Sequence, residues 1–244
     1  MVTVCILTKN VAATLEKTLR STRPFSEVIL LDNGSTDETL AIAKNFSNVR
    51  IFTSPFIGFG PLRNRAAELA SSDWILALDS DEVLSPPLFE ELQSLKRDPK
   101  VVYRFPRHNF YNGKRILGCG WGKEQVARFY NRKFTQFSSS QVHEKLESTL
   151  SIALQSPILH TPYRSTSDFL MKMEHYSTLF AKEQQGKKQA SFPIAVAHAS
   201  FAFIRSYLIK GGIFGGKEGF LISLYNANTA LYKYLKLAEL NKLR

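Results

Sequence analysis

Cysteine is nearly absent: Cys5 and Cys119 are the only two in 244 residues. Two thiols set far apart exclude a disulfide framework and a cysteine zinc site, and they suit a reducing compartment. Long apolar runs are also scarce. The most apolar segment, Phe192 to Ile204, ends at Arg205, too short for a spanning helix but suited to lying on a bilayer. Met1 runs directly into the strand-like Val2 to Leu7, with no pattern of a signal peptide. Acid is in short supply relative to base, with 21 Asp and Glu against 32 Lys and Arg and a net charge of +11. Residues 1–163 hold 20 basic and 16 acidic groups, while 164–244 hold 12 and 5. The excess therefore sits in the shorter C-terminal part, which calls for an anionic partner, either nucleic acid or a membrane surface. No aromatic-basic motif of the RNP type is present, so nucleic acid is not the expected one.

What is there is organised around Trp74 to Glu82, which reads Trp-Ile-Leu-Ala-Leu-Asp-Ser-Asp-Glu. Five residues without polar alternation predict a strand buried on both faces. Asp79, Asp81 and Glu82 then place three carboxylates at its C-terminal mouth, where open α/β sheets bind ligands. Crowded carboxylates repel unless a cation sits among them, and hard oxygen donors suit Mg2+ or Mn2+. The competing reading is a cap for the helix suggested by Leu88 to Leu95, for which one acid is enough.

Further strands are predicted at Val2 to Leu7, Val28 to Leu31 and Val49 to Phe52, alternating with helical patterns at Leu15 and Leu19 and at Ala66 to Ala70. Asp32-Asn33-Gly34-Ser35-Thr36-Asp37 follows the second strand, with Asn-Gly as a turn and Ser35 or Thr36 as the expected cap of the next helix. Asp32 is either a turn residue or an acceptor for a nucleobase or ribose. Gly58-Phe59-Gly60-Pro61-Leu62-Arg63 opens another helix, and its glycines and Arg63 suit a diphosphate. The order βαβαβαβ predicts a nucleotide-binding doubly wound domain.

Ile6-Leu7-Thr8-Lys9-Asn10, Asp32 to Asp37, Gly58 to Pro61 with Arg63-Asn64, and Asp79-Ser80-Asp81-Glu82 together resemble family-2 inverting glycosyltransferases of GT-A fold. The resemblance implies nucleotide contacts at Thr8, Asn10, Asp32, Ser35, Arg63, Asp79 and Ser80. It also implies metal ligation by Asp79, Asp81 and His143 with Mg2+ or Mn2+. Tyr103 to Phe110, Gly118 to Trp121, Arg128-Phe129-Tyr130, Val142-His143-Glu144, Tyr163-Arg164-Ser165 with Asp168, Tyr176-Ser177 and Gly211 to Phe220 are similar to the branch acting on the lipopolysaccharide inner core. Heptose-directed β-1,4-glucosyltransferases belong to that branch. One departure lies at Trp121-Gly122-Lys123-Glu124, where an aromatic-Pro-Asp pattern is expected.

Sugar transfer requires a base for the attacking hydroxyl. Glu124 and Glu144 are both candidates, with chain order leaning toward Glu124. His143 reads equally as a metal or diphosphate contact and as a histidine orienting Glu144. Trp121, Arg107 and Arg128 are the acceptor-side candidates, with Trp121 serving either as a sugar platform or as a plug at the domain edge.

These readings predict a GT-A domain over residues 1–163 and a basic, helical, membrane-associating region over 164–244. Within the latter, Phe169, Met173, Tyr176 and Phe180 form one expected helical stripe, Phe192 to Ile209 and Phe214 to Leu237 are basic-aromatic segments, and the glycines between those two predict a flexible loop. The expected enzyme is a metal-dependent hexosyltransferase, cytoplasmic and peripheral on the inner face of the membrane. Its partners would be a nucleotide diphosphate sugar (a UDP-sugar first, with glucose), a lipid-linked core oligosaccharide, an anionic membrane surface and, as a rival to lipid, a second copy of the chain. The alternatives are a nucleotidyltransferase and a basic binding module without catalysis.

Overall fold

The computed structural model describes residues 1–139, 144–148 and 150–242. It divides into two compact units, Met1–Arg107 with Glu124–His160, and His108–Lys123 with Thr161–Arg244. Residues 108–123 thus group with the C-terminal helices, and the division falls after His160, where the sequence suggested Tyr163.

The first unit is a twisted sheet with helices on both faces. Its strands are β1 (Thr3–Thr8), β2 (Glu27–Asp32), β3 (Val49–Thr53), β4 (Trp74–Asp79), β5 (Glu82–Leu84), β6 (Val102–Tyr111), β8 (Glu124–Asn131), β9 (Ser151–Ala153) and β10 (Ile158–His160). The order across the sheet is β3-β2-β1-β4-β8-β6-β10-β5, with β9 beside β6. β1, β2, β3 and β4 are parallel, whereas β8 runs antiparallel to both β4 and β6. The apolar runs read as doubly buried are so. Val4, Ile6, Val28, Leu30, Leu76 and Leu78 join one core with Leu15 and Leu19 of α1 (Ala12–Ser21). Cys5, Ile29, Leu31, Ile75 and Ala77 alternate onto the other face, against Leu62, Ala66 and Ala67 of α3 (Phe59–Glu68). A period of two in each strand thereby feeds two helical layers.

One local expectation fails, and one competing reading is ruled out. α2 (Thr39–Ala43) starts after Glu38 with no side-chain cap, so neither Ser35 nor Thr36 caps it. Asp37 accepts the Thr39 amide at 3.0 Å instead. The acids Asp79 to Glu82 do not cap α4 (Pro86–Ser94), whose first residues are proline after Ser85. Proline at a first helical position forgoes a donor that has no partner there anyway.

The second unit pairs the end of β6 with β7 (Lys114–Arg115) and carries α5 (Thr166–Gln184), α6 (Phe192–Ile204) and α7 (Gly216–Lys242). Ser165 and Asp168 form a capping box at the start of α5. The buried line of α5 is Phe169, Ser177 and Ala181, while Tyr176 is exposed. Of the expected stripe, Phe169 is buried and Met173 and Phe180 are half-buried, so only Tyr176 departs from it, and the small Ser177 and Ala181 bury beside them. α6 continues as a wide turn over Arg205–Ile209, followed by a 3-10 turn at Gly212–Gly215. The glycine cluster is a tight corner and not a loose loop: a Cβ on Gly219 would stand 1.9 Å from the Gly212 carbonyl oxygen.

One buried acid secures the base of the sheet. Glu27 accepts from Thr3 Oγ1 at 2.7 Å, from the Ser71 amide at 2.8 Å and hydroxyl at 2.7 Å, and from Arg50 at 2.6 Å. Burial alone would raise its pKa, but these donors bring it down to about 2. A depressed carboxyl contributes stability above its ordinary pKa of 4.5 and loses that contribution as pH falls toward the folded value. Glu27→Gln is therefore expected to cost about 1–3 kcal/mol in urea unfolding at neutral pH. The gap from the parent should narrow on acidification from 4.5 toward 2; a gap independent of pH would dissociate it from the ionised carboxylate.

Candidate functional site

The C-terminal ends of β1, β2 and β4 carry Thr8, Asp32 and Asp79, at the mouth of the parallel strands where the sheet reverses direction into β8. The loop after β2 is built inward. Asp32 is buried and its two oxygens accept from Thr8 Oγ1, Ser35 Oγ and the amides of Gly34 and Ser35. Burial opposes ionisation, yet the donors of Ser35, Thr8 and Gly34 hold the carboxyl below its usual range. Gly34 accommodates the turn at φ 87°, a value that only glycine adopts without strain. Ser35 Oγ also takes the Asn10 amide at 2.9 Å, and Asn10 Oδ1 takes the Thr36 amide at 2.8 Å. Thr8, Asp32 and Ser35, expected as nucleotide contacts, bond to one another within this loop. Asn10, at φ 53°, and Thr36 are its exposed polar surface.

Asp79 is held between two guanidinium groups. Arg63 reaches Oδ1 and Arg128 reaches Oδ2, each at 2.6 Å. Burial works against its charge, but Arg128 and Arg63 keep the carboxyl well below the usual carboxylate range. Arg63 lies only 6% exposed and also binds Glu144 at 2.8 Å. Arg63, expected as a diphosphate contact after the Gly58 loop, is a counter-ion shared by Asp79 and Glu144, and its second terminal nitrogen has no hydrogen-bond partner among the described residues. Arg128 reaches Asp79 because β8 is irregular there: Tyr103 pairs with Phe129 and Arg104 with Ala127, leaving Arg128 without an opposite residue. Such a bulge re-aims a side chain.

Glu82, fully buried, accepts the Asp79 amide at 3.0 Å and Arg107 at 3.1 Å. Burial and the nearby charge of Asp79 raise its pKa, with Arg128 and Arg107 opposing. Arg107 lies directly opposite Glu124 in the β6–β8 register and grips it through Nε at 3.0 Å and a second, shorter bond from the terminal nitrogen. The two arginines expected on the acceptor side, Arg107 and Arg128, are thus spent on carboxylates. The two base candidates separate as well. Glu144 is 13% exposed and tied to buried Arg63, whereas Glu124 is 35% exposed on a strand.

Asp81 faces His160 Nε2 at 3.4 Å, and His160 stands opposite Glu82 in the β5–β10 pairing. His160 escaped the sequence reading, although Ile-Leu-His is an apolar run ending in a polar tip, the same signal that marked β1, β2 and β4. Among the described residues no group of three or more His, Cys, Asp and Glu gathers to hold a metal, and His143 lies outside them. Asp81 and His160 set a carboxylate beside an imidazole, while both oxygens of Asp79 are engaged by arginine. Ser80 contributes its carbonyl to Thr18 Oγ1 at 3.0 Å. Trp121 belongs to the second unit, where its ring stacks on Tyr163 at 5.8 Å.

The Arg63 arrangement generates a stability test. Replacing it with methionine leaves Asp79 and Glu144 without their shared counter-ion and should cost about 3–5 kcal/mol in chemical unfolding. Adding Glu144→Gln to that variant should recover part of the loss; no recovery would mean that the pair is not coupled through charge.

The chain is similar along nearly its whole length to curated proteins. An uncharacterized glycosyltransferase of Rickettsia prowazekii (strain Madrid E) is 29% identical over 255 residues, covering 98% of this chain and 86% of that protein. The lipopolysaccharide core biosynthesis glycosyltransferase LpsC of Rhizobium meliloti (strain 1021) is 26% identical over 250 residues, covering 96% and 90%. Among solved structures, S. aureus TarS 1-349 in complex with UDP-GlcNAc aligns with a TM-score of 0.49 at 12% identity, covering 99% of this chain and 89% of that one. The model of glycosyl transferase family 2 matches residues 3–210, so the strand-end carboxylates and the helices beyond them belong to a family-2 glycosyltransferase of GT-A fold.

Proposed function

We propose that this glycosyltransferase is an inverting, metal-dependent hexosyltransferase that moves a sugar from a nucleoside diphosphate to a hydroxyl of a lipopolysaccharide core oligosaccharide. The observation that supports it most is the division of labour among the carboxylates. Asp79 and Glu82 are bound by arginine inside the sheet, Asp81 stands beside His160, and Glu124, the more exposed of the two base candidates, is oriented by Arg107. The core-oligosaccharide acceptor is suggested by the name of the Rhizobium relative. UDP-glucose is the first donor to try, on the sequence resemblance.

In this reading Asp81 and His160 hold Mg2+ or Mn2+. One carboxylate and one imidazole are a sparse protein donor set, of the kind that is completed by the phosphate oxygens of a substrate. The ion, when bound, neutralises the charge that builds on the departing diphosphate. Asn10 and Thr36 present the exposed rim of the β2 loop to the nucleoside. Glu124 takes the proton of the acceptor hydroxyl as its oxygen bonds to the anomeric carbon, while the bond from that carbon to the diphosphate breaks on the opposite face. Entry and departure on opposite faces invert the configuration. Arg107, bonded through two nitrogens, keeps the Glu124 carboxylate oriented for that transfer. Glu144 serves the scaffold through Arg63 and takes no proton.

Two outcomes test this assignment. Glu124→Gln should lower kcat about 10²–10⁴-fold with donor binding intact, while Glu144→Gln should chiefly reduce stability. Full turnover in Glu124→Gln would move the base elsewhere. Separately, Asp81→Ala should abolish the metal-dependent thermal shift produced by a UDP-sugar with Mn2+ while leaving the unliganded melting temperature near that of the parent. Persistence of that shift would remove Asp81 from the metal site.

A further inference from the structure

The corner joining α6 to α7 in the second unit exposes apolar side chains to a degree that its packing does not require. Ile209 is 72% and Phe214 is 89% exposed, and Leu208 and Ile213 beside them are also exposed. The corner itself is rigid. Lys210 N donates to Arg205 O at 2.8 Å, Gly211 N to Leu208 O at 3.2 Å and Phe214 N to Gly211 O at 3.2 Å. Gly211 turns the chain at φ 68°. Behind it, Ser206 Oγ lies 2.9 Å from Ser223 Oγ and accepts from Asn226 at 3.0 Å, fastening the turn to α7. A fixed corner that points aromatic and branched side chains outward is a preformed contact and not a frayed loop.

Its charge has one sign. From residue 184 to residue 238 the sequence contains a single acid, Glu218, and seven Lys or Arg. Glu218 is buried, 3.7 Å from Lys114 and 3.8 Å from Lys217. Lys210 within the apolar corner and Lys217 just after it are exposed. We propose that this corner, Leu208, Ile209, Ile213 and Phe214 together with Lys210 and Lys217, is a membrane-docking surface that seats in the headgroup layer of an anionic bilayer.

Charge decides between the occupants. In a symmetric dimer the same patch meets itself, which would bring Lys210 and Lys217 toward their own copies with Glu218 unavailable to compensate. An anionic lipid surface attracts the same lysines and receives the apolar tip between them. The stretch Phe192–Ile209 has the length and composition of a spanning helix, and its last turn is fastened to α7 through Ser206; in the proposal this segment lies on the bilayer. The inference does not depend on the donor chemistry proposed above, and its test uses no sugar nucleotide.

The test is co-sedimentation of the full chain with vesicles of phosphatidylcholine alone and of phosphatidylcholine with phosphatidylglycerol in equal parts. Binding to the anionic vesicles only, weakened by salt, is expected. Ile213→Ser with Phe214→Ser, and separately Lys210→Gln with Lys217→Gln, should each lower vesicle affinity roughly tenfold or more, with the melting temperature of the serine variant staying that of the parent. Phe214→Trp should shift its emission to the blue on vesicle addition and be quenched by brominated lipid. Three results would overturn the proposal: no binding of the parent chain to anionic vesicles, binding unchanged in both double variants, or light scattering that shows a dimer of the parent lost in the serine variant. The last would assign the corner to a contact between copies.

Discussion

The first unit depends on neutralising carboxylates gathered where parallel strands end. Asp79 and Glu82 lie within one short turn, and Glu82 is fully buried. Two acids in that position repel each other and lose hydration, so the fold is possible only with cations placed among them. Arg63 from α3, Arg107 from β6 and Arg128 from β8 converge for this purpose, bridging Glu144 to Asp79 and Glu82 to Glu124. The contrast between the depressed Asp79 and the raised Glu82 follows from the same arrangement. Asp79 receives two guanidinium groups, whereas Glu82 receives one and faces the charge of Asp79. Of the carboxylates held this way, Glu124 is the most exposed.

That constraint explains which parts of the site were legible in the sequence. The strand tips were visible because an apolar run that ends in acid has few soluble arrangements, and Asp79, Asp81 and Glu82 stand where the pattern put them. The family resemblance also located the loop from Asp32 to Asp37. What the sequence did not disclose was direction. Asp32 in a polar loop looks like an outward acceptor, yet its oxygens turn inward to four donors. Arg63 after a glycine loop looks like a phosphate ligand, yet it is buried between two acids. Three of the four donors to Asp32 come from Gly34 and Ser35 of its own turn, the turn reading that the sequence also offered, whereas Arg63 is oriented by Asp79 and Glu144, 16 and 81 residues away.

His160 and Arg128 mark a second kind of blindness. His160 becomes relevant only because β10 pairs antiparallel with β5 and sets it opposite Glu82. Arg128 reaches Asp79 only because the β6–β8 register slips by one residue. Register is a tertiary property, set by the whole hydrophobic pattern. The helical unit shows a smaller gap of this kind: α5 was anticipated with Phe169, Met173 and Phe180 turned inward, but Tyr176 is exposed and the small Ser177 and Ala181 are buried, which a search for large apolar residues passes over.

The excess of positive charge, read from composition as one quantity, separates in the structure into two kinds of cation. Arg63, Arg107 and Arg128 are paired with carboxylates and therefore add little to the field outside the protein. The lysines of the α6–α7 corner differ, because the acid within their reach, Glu218, is buried and shared. A net charge of +11 is thus not a uniform property of the surface. Arginine, with its planar fork, is used where two carboxylate oxygens must be fixed in place. Lysine, a compact hydrated charge on a flexible stem, is used where the counter-charge is diffuse and need only be near. The choice between the two residue types along the chain follows the same division as the chemistry: directional pairing within the sheet unit, and undirected attraction at the helical corner.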